Sequence, residues 1–378
     1  MHILIAPNAF KNSIDAHGAA LAIQEGLHQS KLKCTTECFA IADGGDGTGA
    51  LIIEKLGGTR VEAEVEDPFG RKIRAAFGLI ENGRTAIIEM ADASGLRLLN
   101  LNELNPLKAS SYGTGELIKH ALDKGANKII LAMGGSATVD GGAGILSALG
   151  IRFLNNGGKN IRAIPEILQE LSSLDTSTFD ARILKTEVIV LCDVGNELLG
   201  AMGSATVFGP QKGASKEDVK RLEEVLKKLS EAVMNQCGKN MATIKYGGTA
   251  GGAAAGLFAG INATLVNGIE YFLELTNFDE ALNMADVVIT GEGSIDIQTI
   301  QGKGPFGVAL KAKKKGIPVI GIAGKVPLVR DSVLHQYFDV LLPIGHKPAS
   351  LPDAFHYSKE NLTRTSIEIG NLLSLCHK

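Results

Sequence analysis

The 46 glycines of this 378-residue chain gather in a few loops, and each of those loops follows a short apolar run. Without a collagen period, such clusters mark tight turns and close approach of backbone. The run at residues 3–6 leads into Pro7-Asn8, and the run at 37–42 into Asp43-Gly44-Gly45-Asp46-Gly47-Thr48-Gly49. Later runs at 128–132, 188–191 and 287–289 lead into a glycine loop at 134–144, into Cys192-Asp193-Val194-Gly195-Asn196, and into Thr290-Gly291-Glu292-Gly293. Strand, loop and helix in alternation call for an open parallel sheet, whose ligands collect at the carboxyl ends of its strands.

The order of elements refines the expectation. A strand at 3–6, a helix at 13–27, a strand at 37–42 and a helix at 50–56 open the chain. The style returns from about residue 285, with strands at 287–290, 318–322 and 340–343. Between them, short segments over 59–90, divided by Asp67-Pro68-Phe69-Gly70 and Asn82-Gly83, read as an antiparallel meander. The clearest helix spans 215–237, where Val219, Leu222, Leu226, Leu229 and Val233 recur at three- and four-residue spacing and Ser215 with Asp218 resembles a capping box. The fold expected is α/β with two domains. Residues 1–60 and 285–378 form a discontinuous doubly wound (Rossmann- or flavodoxin-like) parallel-sheet domain, into which a mixed α/β domain, 61–284, is inserted. A cleft between them would be the natural place for an active site.

Composition excludes several classes. The formal net charge is −3 with no basic block, which argues against nucleic acid or an anionic membrane as partner. No apolar run approaches the ~20 residues of a membrane helix, and no leader-like segment opens the chain. Five cysteines without a CxxC pair suit a reducing compartment, so a cytoplasmic location is expected.

Candidate chemistry sits in the loops. Gly134-Gly135-Ser136-Ala137-Thr138-Val139-Asp140-Gly141-Gly142 lies between strand and helix, where backbone N–H groups can meet an oxyanion. Ser136 and Thr138 add hydroxyls, and Asp140 a metal ligand; the bland alternative is a tightly packed turn. No Walker A loop occurs. Gly45-Asp46-Gly47-Thr48-Gly49-Ala50 loosely fits a dinucleotide fingerprint, although Asp43 and Asp46 would repel a pyrophosphate unless a cation stood between. Those two aspartates suit Mg²⁺ or a hydroxyl, or else a solvated turn. Asp193 stands at a strand's carboxyl end, fit to accept a proton. Glu292 lies between glycines, with Lys303 nearby to neutralise phosphate. Lys11 and Arg71 are candidates to pair with a carboxylate.

Taken together and in this order, these loops resemble the bacterial type I glycerate kinase family. The matching stretches begin with Ala6-Pro7 and Phe10-Lys11, Ala42-Asp43-Gly44-Gly45-Asp46-Gly47-Thr48, Ala93-Ser94-Gly95-Leu96, and Ser111-Tyr112-Gly113-Thr114-Gly115-Glu116-Leu117. The glycine loop at 134–142, Cys192-Asp193-Val194 with Asn196, and Phe208-Gly209-Pro210-Gln211-Lys212-Gly213-Ala214 follow. Residues 247–256, Ala285-Asp286 with Thr290-Gly291-Glu292-Gly293, and Asp296 with Gln298-Thr299 and Gly302-Lys303 complete the set. The chain departs from the family's usual pattern at Asn8-Ala9 (Asp-Ser), Asn12 (Gly), Glu197 (Pro) and Ser294 (Arg).

The resemblance implies an enzyme that uses ATP and Mg²⁺ to phosphorylate a hydroxyl of D-glycerate, a 2-kinase giving 2-phosphoglycerate being expected over a 3-kinase. On this expectation Gly134, Gly135, Ser136, Thr138, Gly141, Gly142, Glu292 and Lys303 bind ATP. Asp193 and Glu292 hold Mg²⁺. Lys11, Arg71, Ser94 and Ser111 bind glycerate, and Asp193 or Asp43 takes the hydroxyl proton with Lys11 assisting. The competing expectations are a kinase for a related hydroxy acid, a non-catalytic sensor of hydroxy acid or nucleotide, and an NAD-dependent dehydrogenase. Homo-oligomerisation stays open.

Overall fold

The computed structural model describes residues 1–330 and 333–376. The chain divides into two compact units, Met1–Asp43 with Ile269–Lys378, and Gly44–Gly268.

The first unit is built on a five-stranded sheet in the order Val340–Pro343, Val319–Lys325, Val287–Ser294, His2–Ile5, Thr35–Cys38. All its pairings are parallel. Counted along the chain within the unit, the order is 2-1-3-4-5, that of a doubly wound sheet. Its switch point falls between His2–Ile5 and Val287–Ser294. Ile3 and Ile5 join a core with Ala19, Ile23 and Leu27 of the helix Ala16–Gln29 and with Leu362 and Ile369 of the helix Ser358–Cys376. Leu4 between them is equally buried, so both faces of the strand are covered and its apolar run is continuous rather than alternating. The first helix starts at Ala16 rather than 13, because Phe10 and Ile14 close a tight bridge and the Asp15 carboxylate caps the helix by accepting from Gly18 N at 2.6 Å.

The second unit holds a six-stranded mixed sheet in the order Thr264–Asn267, Glu187–Cys192, Lys128–Ala132, Thr85–Glu89, Lys72–Ile80, Thr59–Glu66. Its first four strands are parallel, and the last two add the antiparallel meander. A small antiparallel sheet, Asn160–Ile161, Arg152–Asn155 and Leu171–Asp175, stands apart from it. The helix Lys216–Cys237 buries Leu222, Leu226, Leu229 and Val233 of the expected stripe and Val225 besides, while Val219 is only half-buried.

The units meet the chain at 43/44 and 268/269, where the sequence reading put boundaries at 60/61 and 284/285. At the first boundary, the helix Thr48–Lys55 packs on Lys72–Ile80 and Thr85–Glu89 of the second unit's sheet. At the other, Ile269 is buried beside Gly307 of the first unit. Among the described residues no helix is long and apolar enough to cross a membrane.

Ser215 accepts from Asp218 N, and the Asp218 carboxylate accepts from Ser215 N at 3.0 Å, which closes the capping box of the long helix. Ser215→Ala should therefore cost about 1 kcal/mol in urea unfolding, with an unchanged m-value.

Candidate active site

In the first unit the loops after the strands His2–Ile5 and Thr35–Cys38 bring Asn8 and Asp43 to the switch point, where Glu292 lies near the end of the strand Val287–Ser294. Asp43 Oδ2 accepts from Asn8 Nδ2 at 2.9 Å and from Gly304 N at 3.2 Å, the latter at the start of the helix Gly304–Lys314. Asn8 Oδ1 accepts in turn from Ala9 N at 2.8 Å, so the Asn8 amide is oriented with its N–H₂ toward the carboxylate. Glu292 is only 8% exposed; Thr299 Oγ1 donates to its Oε1 at 3.3 Å, and Asp296 N donates to Thr299 Oγ1 at 3.1 Å. Burial pushes the Glu292 carboxyl up to about 7; the Lys303 charge pulls it back, the Asp43 charge pushes it further, and Lys11 pulls it down. One buried acid near neutrality, a second carboxylate and two lysines form a unit suited to binding anions and a cation. Among the described residues no three His, Cys, Asp or Glu side chains form a ready-made metal cage.

In the second unit the glycine loop follows Lys128–Ala132 and precedes the helix Ala143–Ala148. Asp140 is fully buried inside it. Its Oδ2 accepts from Ser111 N at 2.8 Å, Ser111 Oγ at 2.7 Å and Gly144 N at 3.2 Å, and its Oδ1 from Gly142 N at 3.0 Å. Burial raises its carboxyl against the pull of those donors. Lys212 is 3% exposed and sends its ammonium into the same loop, donating to Ser136 Oγ at 2.9 Å and Thr138 O at 2.7 Å. Burial lowers its amine to about 7, while the charges of Asp140 and Asp193 hold it from falling further. Asp193 follows Glu187–Cys192 and is half-buried.

Several expectations need correction. Gly134 N donates to Gly44 O at 3.0 Å, and a Cβ at Gly134 would lie 2.4 Å from Gly45 Cα, so two loops cross there with no room for a ligand between them. Gly141 N donates to Gly251 O at 3.0 Å, and Gly141 and Gly142 are buried under Leu229 and Ala253. These three glycines serve packing, and their amides are spent on internal acceptors rather than offered to phosphate. Within residues 134–144 only Gly135, in the left-handed region at φ 72°, is exposed. Asp140 is an internal cap, not a metal ligand. Ser94 and Ser111 do not present hydroxyls to a substrate: both are buried, Ser94 Oγ lies 2.7 Å from Thr114 Oγ1, and Ser111 Oγ donates to Asp140 while accepting from Ile145 N at 3.1 Å. Arg71 is half-exposed but engaged, its Nε by Asp67 and its Nη1 by Glu103 Oε1 at 2.7 Å. Thr138 Oγ1 is buried with no hydrogen-bond partner among the described residues.

The dehydrogenase expectation loses its basis as well. Buried Glu89 occupies the place a pyrophosphate would take, accepting from Gly49 N at 2.6 Å, Ala50 N at 3.2 Å and Gly47 N at 3.3 Å at the start of the helix Thr48–Lys55. Asp46 is paired with Arg97 at 2.5 Å. Sequence reasoning missed both Glu89 and Lys212. Lys212 carried a signal, a lysine between Gly209-Pro210 and Gly213 in a stretch already matched to the family, but nothing local announced that it is buried.

Comparison with known proteins bears on the family. The model of the glycerate kinase family matches residues 3–374. A glycerate kinase of Halalkalibacterium halodurans is 42% identical over 97% of each chain. The glycerate 2-kinase of Escherichia coli is 40% identical over 99% of this chain and 98% of its own. Among solved structures, a putative glycerate kinase 2 from Salmonella typhimurium LT2 superposes with a TM-score of 0.82 at 39% identity, covering 100% of this chain and 99% of that one.

The raised carboxyl of Glu292 makes a test of its environment. Folded Glu292 keeps its proton to about pH 7, whereas its ordinary value is 4.5, so between these values the folded state binds more protons and stability falls as pH rises. That contribution is complete below the ordinary value and gone once pH has passed through the folded one. Glu292→Gln removes it. The Tm of the variant relative to wild type should rise from about pH 5 to about pH 8 and then level off. A difference independent of pH would show that the carboxyl is ionised throughout.

Proposed function

The chain belongs to the glycerate kinase family, and on that footing we propose that it transfers the γ-phosphoryl group of ATP to a hydroxyl of D-glycerate, giving 2-phosphoglycerate and ADP. The name of the E. coli relative supports the 2-position. The observation that carries the assignment of residues is the cluster of Asp43, Glu292, Lys303 and Lys11 at the carboxyl edge of the parallel sheet.

In phosphoryl transfer a protein contributes position and charge more than covalent chemistry. Lys11 meets the glycerate carboxylate, and Lys303 the negative charge of the transferred group. Gly135, the exposed residue of the glycine loop, and the buried Ser136 beside it meet the ATP phosphates. Asp43 Oδ2 is already engaged by the Asn8 amide and by Gly304 N. Asp193, half-buried at the carboxyl end of the strand Glu187–Cys192, takes the hydroxyl proton as that oxygen bonds to the γ-phosphorus and the bond to the departing ADP breaks.

The donor set suits a hard cation: Asp43 raises the carboxyl of Glu292 by like charge, a repulsion a divalent ion relieves. Mg²⁺ commonly takes one or two carboxylates and completes its shell with phosphate and water, so Glu292 and Asp43 would hold it, and its charge would offset that of the phosphates.

Asp193→Asn should lower kcat by about 10²–10⁴-fold while leaving the thermal shift with MgATP in place. Asp43→Asn should instead raise the Mg²⁺ concentration needed for half-maximal rate. Steady-state ADP release with D-glycerate reads both. If both variants turn over like wild type, the roles given to the two aspartates are wrong; binding of MgATP with no product from any hydroxy acid would mark a sensor instead.

A further inference from the structure

Lys212 carries a buried amino group that the reaction as described leaves unused. Its three-residue turn, Pro210–Lys212, ends at Gly213 in the left-handed region, and the side chain runs inward to the glycine loop. The loop segment it meets is fixed from the other side as well: Leu96 N donates to Gly135 O at 2.8 Å and Ala137 N to Ser94 O at 2.9 Å, a short bridge around Gly95 and Ser136. Lys212 closes the opposite side by donating to Thr138 O and Ser136 Oγ. Ser136 is thus pinned beside Gly135, the one exposed residue of the loop.

The direction of the bond matters. Lys212 Nζ donates to Ser136 Oγ, so the hydroxyl is the acceptor and keeps its own hydrogen to donate elsewhere. A hydroxyl that accepts from a cation is polarised and donates more strongly. We infer that Lys212 is a positioning residue which aims and polarises the Ser136 hydroxyl as a donor to a phosphate oxygen of the nucleotide. Lys212 itself does not touch the ligand; its charge reaches the phosphate through Ser136. The inference rests on the reading that ATP phosphates meet the Gly135–Ser136 edge.

A double-mutant cycle tests it, with KM for ATP and kcat measured for wild type, Ser136→Ala, Lys212→Met and the double variant. Ser136→Ala should raise KM for ATP roughly tenfold, Lys212→Met should raise it by a similar factor, and the double variant should be no worse than either alone. If Ser136→Ala leaves KM for ATP unchanged, the placement of phosphates on this loop fails. If Ser136→Ala raises KM but Lys212→Met leaves it unchanged, or the two factors multiply in the double variant, the placement survives and the role of Lys212 falls. A merely structural lysine would lower Tm without moving KM. Should Lys212→Met not fold, Lys212→Gln, which keeps an N–H donor without the charge, enters the cycle and is judged by the same outcomes.

Discussion

A carboxyl group buried at the end of a parallel strand is costly to ionise unless cations face it, and the chemistry of the first unit turns on how Glu292 meets that cost. Burial and the neighbouring Asp43 favour the protonated form; Lys303, Lys11 and the Thr299 hydroxyl favour the anion. The balance leaves the group near neutrality, responsive to any charge that arrives. The sheet order makes this possible, since the strand carrying Glu292 lies next to the first strand at the switch point, with the loops bearing Asn8 and Lys11 at its end. Asn8 supports the arrangement in a further way. Its amide gives Asp43 a neutral donor, where an aspartate, the residue the family usually has, would set a third carboxylate against the pair.

The second unit spends its anion-binding capacity mostly on itself. Glu89 fills the start of the helix Thr48–Lys55, and Asp140 gathers the amides around the helix Ala143–Ala148. Both carboxylates do what a bound phosphate would do at a helix start, which makes the loops rigid before any ligand arrives. The edge left for a ligand is short, and it is the part Lys212 reaches from below.

Much of this was legible in the chain. Apolar runs ending in glycine and acid announced most of the strands, their loops and the carboxyl-edge position of Asp193 and Glu292, because strand period and turn chemistry act over a few residues; the run at 37–42 did not, since the strand before Asp43 is the polar Thr35–Cys38 and residues 39–42 lie beyond it. The capping box at Ser215 and the meander over 59–90 were legible for the same reason. What stayed hidden depends on partners far along the chain. Ser111 looked available until Asp140, 29 residues away, was seen to hold it; the Gly45–Ala50 fingerprint looked open until Glu89 was seen inside it; Lys212 lies 76 residues from Ser136. A glycine-rich loop reads alike whether it is bare for a ligand or bare because another loop crosses it, as at Gly134 and Gly45.

The most direct measurement is the identity of the product. The purified chain is incubated with ATP, Mg²⁺ and D-glycerate, and the phosphorus NMR spectrum is compared with those of authentic 2- and 3-phosphoglycerate. One equivalent of 2-phosphoglycerate for each ADP is the result expected. ATP left intact, or hydrolysed to free phosphate with no phosphoglycerate formed, would contradict it.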